Sequence, residues 1–224
     1  MGSLPDISDQ LRFERKYRLE HVSLAFVLQV IQNHPASFST LYPDRQINNV
    51  YYDRPDFSGY KLNLMGVGFR RKYRLRWYGP NITNLDSAQL EIKQRENELG
   101  SKLIRPIQNL NWVAVPKLFD TEFPQQAPLR PTLINTYLRS YFGARHGRFR
   151  ITIDREQQFL PLLDRPLPDA SWLAGKRFPY QDEALVLELK YDAPFDQEAQ
   201  EIMQFLPFRQ GRNSKYVNGV TYVL

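Results

Sequence analysis

Phe69-Arg-Arg-Lys-Tyr-Arg-Leu-Arg-Trp-Tyr78 places a cation at every second position. Arg70, Lys72, Arg74 and Arg76 take the even positions, and Phe69, Tyr73, Leu75 and Trp77 the odd ones. A β-strand sends successive side chains to opposite faces. The stretch therefore reads as a strand with one apolar face and one face carrying four cations in a row. Arg71, among the aromatics, is expected at the surface.

The same alternation recurs at Arg12–Arg18, Leu90–Arg95, Arg148–Asp154 and Leu185–Asp192. In the first, Arg12, Glu14, Lys16 and Arg18 alternate with Phe13 and Tyr17. In the third, Arg148, Arg150, Thr152 and Asp154 alternate with Phe149, Ile151 and Ile153. Further strands are expected at Ile47–Tyr52, Thr132–Phe142 and Val217–Val223. Helical spacing is read at His21–Asn33, Ser101–Phe119 and Asp196–Phe205, with a short helical turn at Phe57–Asn63. Residues 120–131 and 161–179 read as Pro-rich connections. The pattern is that of an α+β fold dominated by an antiparallel sheet or a closed barrel. An open sheet would simply wet its charged face. A barrel with that face inward needs a bound polyanion or compensating acids. Alternation alone fits both.

Composition narrows the partners. The chain has 224 residues, 42% of them hydrophobic and 13% aromatic, enough for a packed core. With no internal repeat and no break that demands two units, residues 1–224 are read as a single domain. The net charge of +6 favours nucleic acid, nucleotides, inorganic phosphates or an anionic membrane surface. No acid occurs between Asp56 and Asp86, a gap that holds six cations from Lys61 to Arg76. The absence of cysteine excludes disulfides, thiolate catalysis and Cys-ligated metal. No apolar run approaches the roughly 18 residues of a membrane span, and Met1-Gly-Ser-Leu-Pro-Asp6 lacks a signal-peptide core. A cytoplasmic location is the default expectation.

Two kinds of side chain carry the candidate chemistry. Arg74 and Arg76 lie about 7 Å apart on one face, a spacing that lets guanidinium forks hold successive phosphoryl groups. Lys72 extends that row, Arg148 and Arg150 form a second one, and Arg139 stands two residues after Tyr137 on its strand. Glu14-Arg-Lys16, Glu91-Ile-Lys93 and Glu188-Leu-Lys190 each put an acid and a base on one strand face. Such pairs often do no more than balance charge across strands. Among phosphate-binding cations, however, hard carboxylate oxygens suit Mg²⁺ or Mn²⁺. The Gly-x-x-x-x-Gly-Lys phosphate loop, the dinucleotide fingerprint and the kinase motifs are all missing. His21, His34 and His146 show no metal-ligand spacing.

Phe13-Glu-Arg-Lys-Tyr17, Tyr51-Tyr-Asp-Arg-Pro-Asp56, Lys72-Tyr-Arg-Leu-Arg-Trp-Tyr78, Leu90-Glu-Ile-Lys93, Arg148-Phe-Arg-Ile-Thr-Ile-Asp154, Leu187-Glu-Leu-Lys190 and Ser214-Lys-Tyr216 follow one another in a familiar order. In this the chain resembles the vacuolar-transporter-chaperone (VTC) polyphosphate polymerase domain, within the triphosphate tunnel metalloenzymes. The resemblance implies a closed antiparallel β-barrel of about eight strands with flanking helices, whose tunnel binds triphosphate or polyphosphate. It implies phosphoryl transfer from a nucleoside triphosphate, ATP above all, to pyrophosphate, tripolyphosphate or polyphosphate, with Mn²⁺ or Mg²⁺. Relatives in the wider superfamily hydrolyse triphosphates or cyclise ATP, and a non-catalytic polyphosphate-binding module is a further alternative.

Carried over by position, Arg74, Arg76, Arg150 and Lys93 resemble the cations at the reacting phosphates. Lys16, Lys190 and Lys215 resemble further phosphate contacts, which Lys72, Arg139 and Arg148 would join. Glu188 resembles the metal-binding glutamate, with Glu14 and Glu91 as helpers. The hydrolytic relatives open on Glu-x-Glu-x-Lys, whereas this chain has Arg12-x-Glu14-x-Lys16, a departure that favours polymerase over hydrolase. Nucleic acid is not an implied partner. A membrane-protein partner is, by analogy with the eukaryotic assemblies.

Overall fold

The computed structural model describes residues 12–124, 127–162 and 170–222. Met1–Asp6 and residues 163–169 of the second Pro-rich connection lie outside them. The elements run β1 (Arg12–Leu19), α1 (Leu24–Gln32), β2 (Ser39–Asp53), α2 (Ser58–Leu64), β3 (Phe69–Tyr78), β4 (Gln89–Glu96), β5 (Leu99–Pro106), α3 (Leu118–Glu122), β6 (Arg130–Gly143), β7 (Phe149–Pro161), α4 (Ala170–Ala174), β8 (Tyr180–Asp182), β9 (Leu185–Asp192), α5 (Asp196–Gln204) and α6 (Lys215–Thr221).

The strands form one antiparallel sheet in the order β6-β2-β3-β4-β5-β1-β9-β7-β8. β6 also pairs with β7, which closes eight of the strands into a ring and leaves β8 on the outside of β7. Closure removes the exposed sheet edges that an open arrangement would leave. The choice that alternation left open thus falls to the closed form.

Alternation puts the core outside the ring. Leu75 and Trp77 of β3 and Leu90 and Ile92 of β4 pack outward on Trp112, Val115 and Phe119. On the opposite flank, Tyr17, Ile151, Ile153, Leu187 and Leu189 pack outward on α1 and α5 through Val27, Ile31, Ala199 and Ile202. Ser23 caps α1 by accepting from the Phe26 N–H at 3.2 Å. The charged positions that alternate with these apolar ones are left facing the interior.

Two sequence expectations are corrected. Ser101–Phe119 does not begin as a helix: Ser101 to Pro106 lie in β5, paired with β4 along its whole length. The hairpin turns at Asn97 and Glu98, and Asn97 adopts φ 55°, a left-handed value Asn tolerates. The helical spacing seen there applies only to the short helical stretch ending at Glu122. Val217–Val223 is not a strand either; its described part lies in α6. Ser214 caps that helix by accepting from the Val217 N–H at 3.3 Å, and Tyr216 and Val220, one turn apart, share its buried face.

Candidate functional site: a charged interior closed at one end

Residues paired across antiparallel strands share a face, so the register identifies what lines the ring. Lys72 of β3 lies opposite Lys93 of β4, and Lys93 lies opposite Lys102 of β5. Three lysines thus stand abreast on adjacent strands. One step along, Arg70 faces Arg95. Like charges directly opposite one another cost stability. One carboxylate relieves the row directly: Lys93 Nζ donates to Glu14 at 2.6 Å.

The titration behaviour follows that imbalance. Lys72 donates to the Ser214 hydroxyl at 2.8 Å and meets no carboxylate among the described residues. Burial, and then Lys16, Lys93, Arg70 and Arg74 around it, push its pKa well below the ordinary lysine value. Burial and Lys16 also outweigh the pull of Glu14 on Lys93, which is drawn down to about 8. Lys102 is lowered too, since burial and the charges of Arg74, Arg76 and Lys190 outweigh the pull of Glu91.

Elsewhere the interior is paired. Glu91, 1% exposed, accepts from Arg74 Nε at 2.6 Å and lies 3.5 Å from Arg76. Although burial favours its neutral form, the two guanidiniums hold it far below the usual carboxylate range. Arg76 is further fixed by Asn49 at 2.9 Å and the Tyr137 hydroxyl at 3.2 Å. Glu188 lies 3.0 Å from Lys16, 2.9 Å from Lys190 and 3.6 Å from Arg139. Against the effect of burial, these cations keep it ionised, with Lys215 adding to them. Asp154, fully buried, binds Arg139 at 2.6 Å through the second guanidinium nitrogen and also accepts from Lys215.

A β-bulge at Glu156, whose φ is 53°, switches parity along β7. Asp154 and Phe159 consequently both face the interior. Phe159, Tyr51 and Leu133 form an apolar floor on which α6 lies through Tyr216 and Val220. Gly219 makes that seat: a Cβ there would come within 2.4 Å of Leu133 and 2.6 Å of Phe159. Asp53 ties down the same helix, accepting from the Tyr216 hydroxyl and from the N–H groups of Gly59 and Tyr60 at 2.9 and 2.8 Å. The segment leading into α6 is held as well, since Lys16 donates to Asn213 O at 3.3 Å and accepts through its own carbonyl from Gly211 N at 2.8 Å.

The structure therefore brings Glu14, Lys16, Lys72, Arg74, Arg76, Glu91, Lys93, Arg139, Glu188, Lys190 and Lys215 to one interior. Arg150 joins them at the edge, exposed and opposite Lys190. Arg148 does not join: it binds Glu198 at 3.1 Å and stacks on Phe195 outside the ring. It precedes the first residue of β7, so the alternation that turns Arg150 inward does not govern it. Arg71, as read from the sequence, lies on the outer face, bound to Gln94.

Several participants escaped the sequence. Lys102 was hidden by the helical reading of its segment. Asp154 was in view on the right face of its strand, but nothing local marked it as the counter-ion of Arg139 and Lys215. Tyr137 contacts three cations, receiving Arg76 and lying under Arg139 and Lys215 at 5.3 and 4.6 Å; its strand was the only signal.

A divalent cation fits this donor set in one way. No cluster of three or more His, Asp or Glu suited to a metal occurs among the described residues. Glu188 and Glu14, both on Lys16 at 3.0 and 3.7 Å, form a pair of hard oxygen donors. Thr152, opposite Glu188 on β7, buries a hydroxyl that has no hydrogen-bond partner among the described residues. Such a site suits Mg²⁺ or Mn²⁺, which take one or two carboxylates and complete their shell with phosphate and water.

A ring of eight antiparallel strands around a charged interior defines the triphosphate-tunnel class of fold. The chain belongs to the VTC domain family, whose model matches residues 11–114 and 118–224. Comparison with curated proteins finds none that matches. Among solved structures, the chain is similar to a candidate adenylate cyclase of Vibrio parahaemolyticus, at 16% identity and a TM-score of 0.55, covering 95% of this chain and 98% of that one. A protein of Pyrococcus horikoshii aligns at 12% identity and a TM-score of 0.56, covering 94% and 99%. A candidate adenylate cyclase of Bacillus halodurans aligns at 12% identity and a TM-score of 0.52, covering 92% and 94%. At such identities these likenesses speak for the fold. The family and fold together support a function in nucleotide or phosphate chemistry.

Proposed function

We propose that the chain is a metal-dependent phosphotransferase that moves the terminal phosphoryl group of a nucleoside triphosphate, with ATP as donor, onto pyrophosphate, tripolyphosphate or polyphosphate. The observation that carries this reading is the row of Lys72, Lys93 and Lys102 abreast, beside Arg70 and Arg95. A fold that holds five cations together, with Glu14 the one carboxylate in ion-pair contact with them among the described residues, is suited to a ligand with negative charge at regular short intervals. A polyphosphate chain has that form. A nucleic acid is broader and spaces its charges further apart.

Phosphoryl transfer asks mainly for positioning and charge stabilisation. Arg74 and Arg76 would fork onto the donor's phosphates, with Glu91 orienting both guanidiniums until substrate arrives. An oxygen of the acceptor's terminal phosphate forms the new P–O bond to the γ-phosphorus. The bond from that phosphorus to the bridging oxygen breaks, and its electron pair leaves on the nucleoside diphosphate. The attacking oxygen is already ionised, so no strong base is needed. Lys16, Lys72, Lys93, Lys190 and Arg150 would neutralise the chain, and Arg139 and Lys215, anchored by Asp154, would fix one wall. Glu188, with Glu14 beside it, would hold Mn²⁺ or Mg²⁺, which when bound would neutralise charge on the phosphate oxygens. Arg148 is left out of this site.

Arg12 supports transfer over hydrolysis. It stands where the hydrolytic relatives carry their first acid and instead binds Asp192 at 2.8 Å. The reading takes residues 1–224 as one domain at work in the cytoplasm. No helix among the described residues is long and apolar enough to cross a membrane. The test is product analysis with ATP and Mn²⁺. Polyphosphate should accumulate, and Arg74→Ala or Glu188→Ala should abolish it. Phosphate release without polymer would mean a triphosphatase, and tight binding of tripolyphosphate without turnover a binding module.

A further inference from the structure

The turn from α2 into β3 carries apolar side chains that the rest of the fold leaves uncovered. Leu62, Leu64, Met65 and Phe69 are 38, 60, 76 and 50% exposed. Four large hydrophobic side chains so close in sequence form a patch, where scattered single residues would need no explanation. The tip is ordered: Met65, Gly66 and Val67 donate back to the carbonyls of Lys61, Asn63 and Leu62 at 2.9, 3.2 and 3.1 Å. Gly66 turns the chain there at φ 71°.

Cations surround this tip. Lys61 precedes Leu64 by nearly one helical turn, and Arg71 lays its guanidinium over the Phe69 ring at 5.4 Å. Arg212 packs on Gly66 so closely that a Cβ there would lie 2.8 Å from its nitrogen. Neither Arg71 nor Arg212 has a carboxylate within ion-pair distance among the described residues. The nearby acids are Asp56, close enough to Lys61 to feel its charge, and Glu96, across from Phe69.

We propose that this tip docks the protein on an anionic lipid surface. Its exposed side chains lie at the end of α2 and on the turn beyond it, which suits insertion into the soft interface of a bilayer. The cations around them sit where lipid phosphates would lie. A second copy of the chain is disfavoured as occupant, because the face would meet its own positive charge. The proposal does not depend on the reaction inside the ring, and its test requires no turnover.

The full chain is sedimented with vesicles of phosphatidylcholine alone and with an equal mixture of phosphatidylcholine and phosphatidylglycerol. It should bind the mixed vesicles, and binding should fall about tenfold or more for Leu64→Ser/Met65→Ser and for Arg71→Gln/Arg212→Gln. The Leu64→Ser/Met65→Ser variant should keep the thermal midpoint and tripolyphosphate affinity of the parent. Met65→Trp should shift its emission to the blue on the mixed vesicles, and saturating tripolyphosphate should leave binding in place. The proposal is overturned by equal binding to neutral vesicles, or by full binding of the Leu64→Ser/Met65→Ser variant. It is overturned equally by displacement with tripolyphosphate, which would put the headgroups inside the ring, or by self-association through the tip with no vesicle binding.

Discussion

Replacing Asp154 by Asn removes one charge from the most deeply buried ion cluster and almost no volume. Asp154 is fully buried between Arg139 and Lys215. Those cations hold it ionised although burial favours its neutral form. Loss of the carboxylate strands two buried cations. Arg139 retains Glu188 at 3.6 Å, whereas Lys215 keeps the Tyr137 ring beneath it and the more distant charge of Glu188. Breaking a buried pair from one side costs about 3–5 kcal/mol. In a chain of this length each kcal/mol moves the thermal midpoint by about 2–4 °C, so Asp154→Asn should lower it by about 6–20 °C. Calorimetry or a circular-dichroism melt reads this directly. Adding Lys215→Met removes the stranded ammonium, and the double variant should melt above the single one. Saturating tripolyphosphate should also restore part of the loss, because it supplies the missing negative charge to the native state alone. A drop of less than about 2 °C, or a double variant that melts below the single one, would refute the reasoning that these charges are balanced within the ring.

The opposite sign is expected at Lys72, where the repulsion lies. Lys72→Met should leave the melting point unchanged or higher while weakening tripolyphosphate binding about tenfold or more, measured by calorimetry. Lys93, drawn down to about 8 from an ordinary 10.5, binds fewer protons folded than unfolded between those pH values. Its contribution to stability therefore rises with pH across that window. Above 10.5 the raised pKa values of Lys16 and Lys215 act the other way, and stability falls. Melts from pH 7 to 12 without ligand should show this rise and fall. Gly219→Ala drives a methyl into Leu133 and Phe159; it should cost about 1–3 kcal/mol and weaken tripolyphosphate binding as α6 lifts Lys215 away. Arg148→Ala, outside the ring, should change stability by no more than about 0.5 kcal/mol and leave phosphate affinity intact.

Much of this architecture can be read from the residues, for a physical reason. A strand whose two faces differ so sharply has one register only, and β1, β3, β4, β7 and β9 all carry that contrast. The glutamates two positions before Lys16, Lys93 and Lys190 then fall inside with their lysines. What stays hidden depends on partners distant in sequence. Whether the sheet closes rests on the β6–β7 pairing, which no local pattern encodes. Asp154 becomes a counter-ion only when α6 delivers Lys215 from 61 positions away. The β-branched run at the C-terminal end favours a strand by propensity, but the Ser214 cap and the seat at Gly219 make it a helix. Lys102 went unseen because helical spacing further on, read across the breaks at Pro106 and Pro116, masked the short hairpin turn at Asn97.

The central claim is that the ring's interior binds a chain of phosphates. Its most direct measurement is a calorimetric titration of tripolyphosphate into the purified chain at several salt concentrations, with single-stranded DNA as competitor. A ring lined by these cations should show one saturable site, an affinity that falls steeply as salt rises, loss of binding in Arg74→Ala, and no displacement by DNA. Displacement of tripolyphosphate by DNA, or undiminished binding in Arg74→Ala, would contradict it.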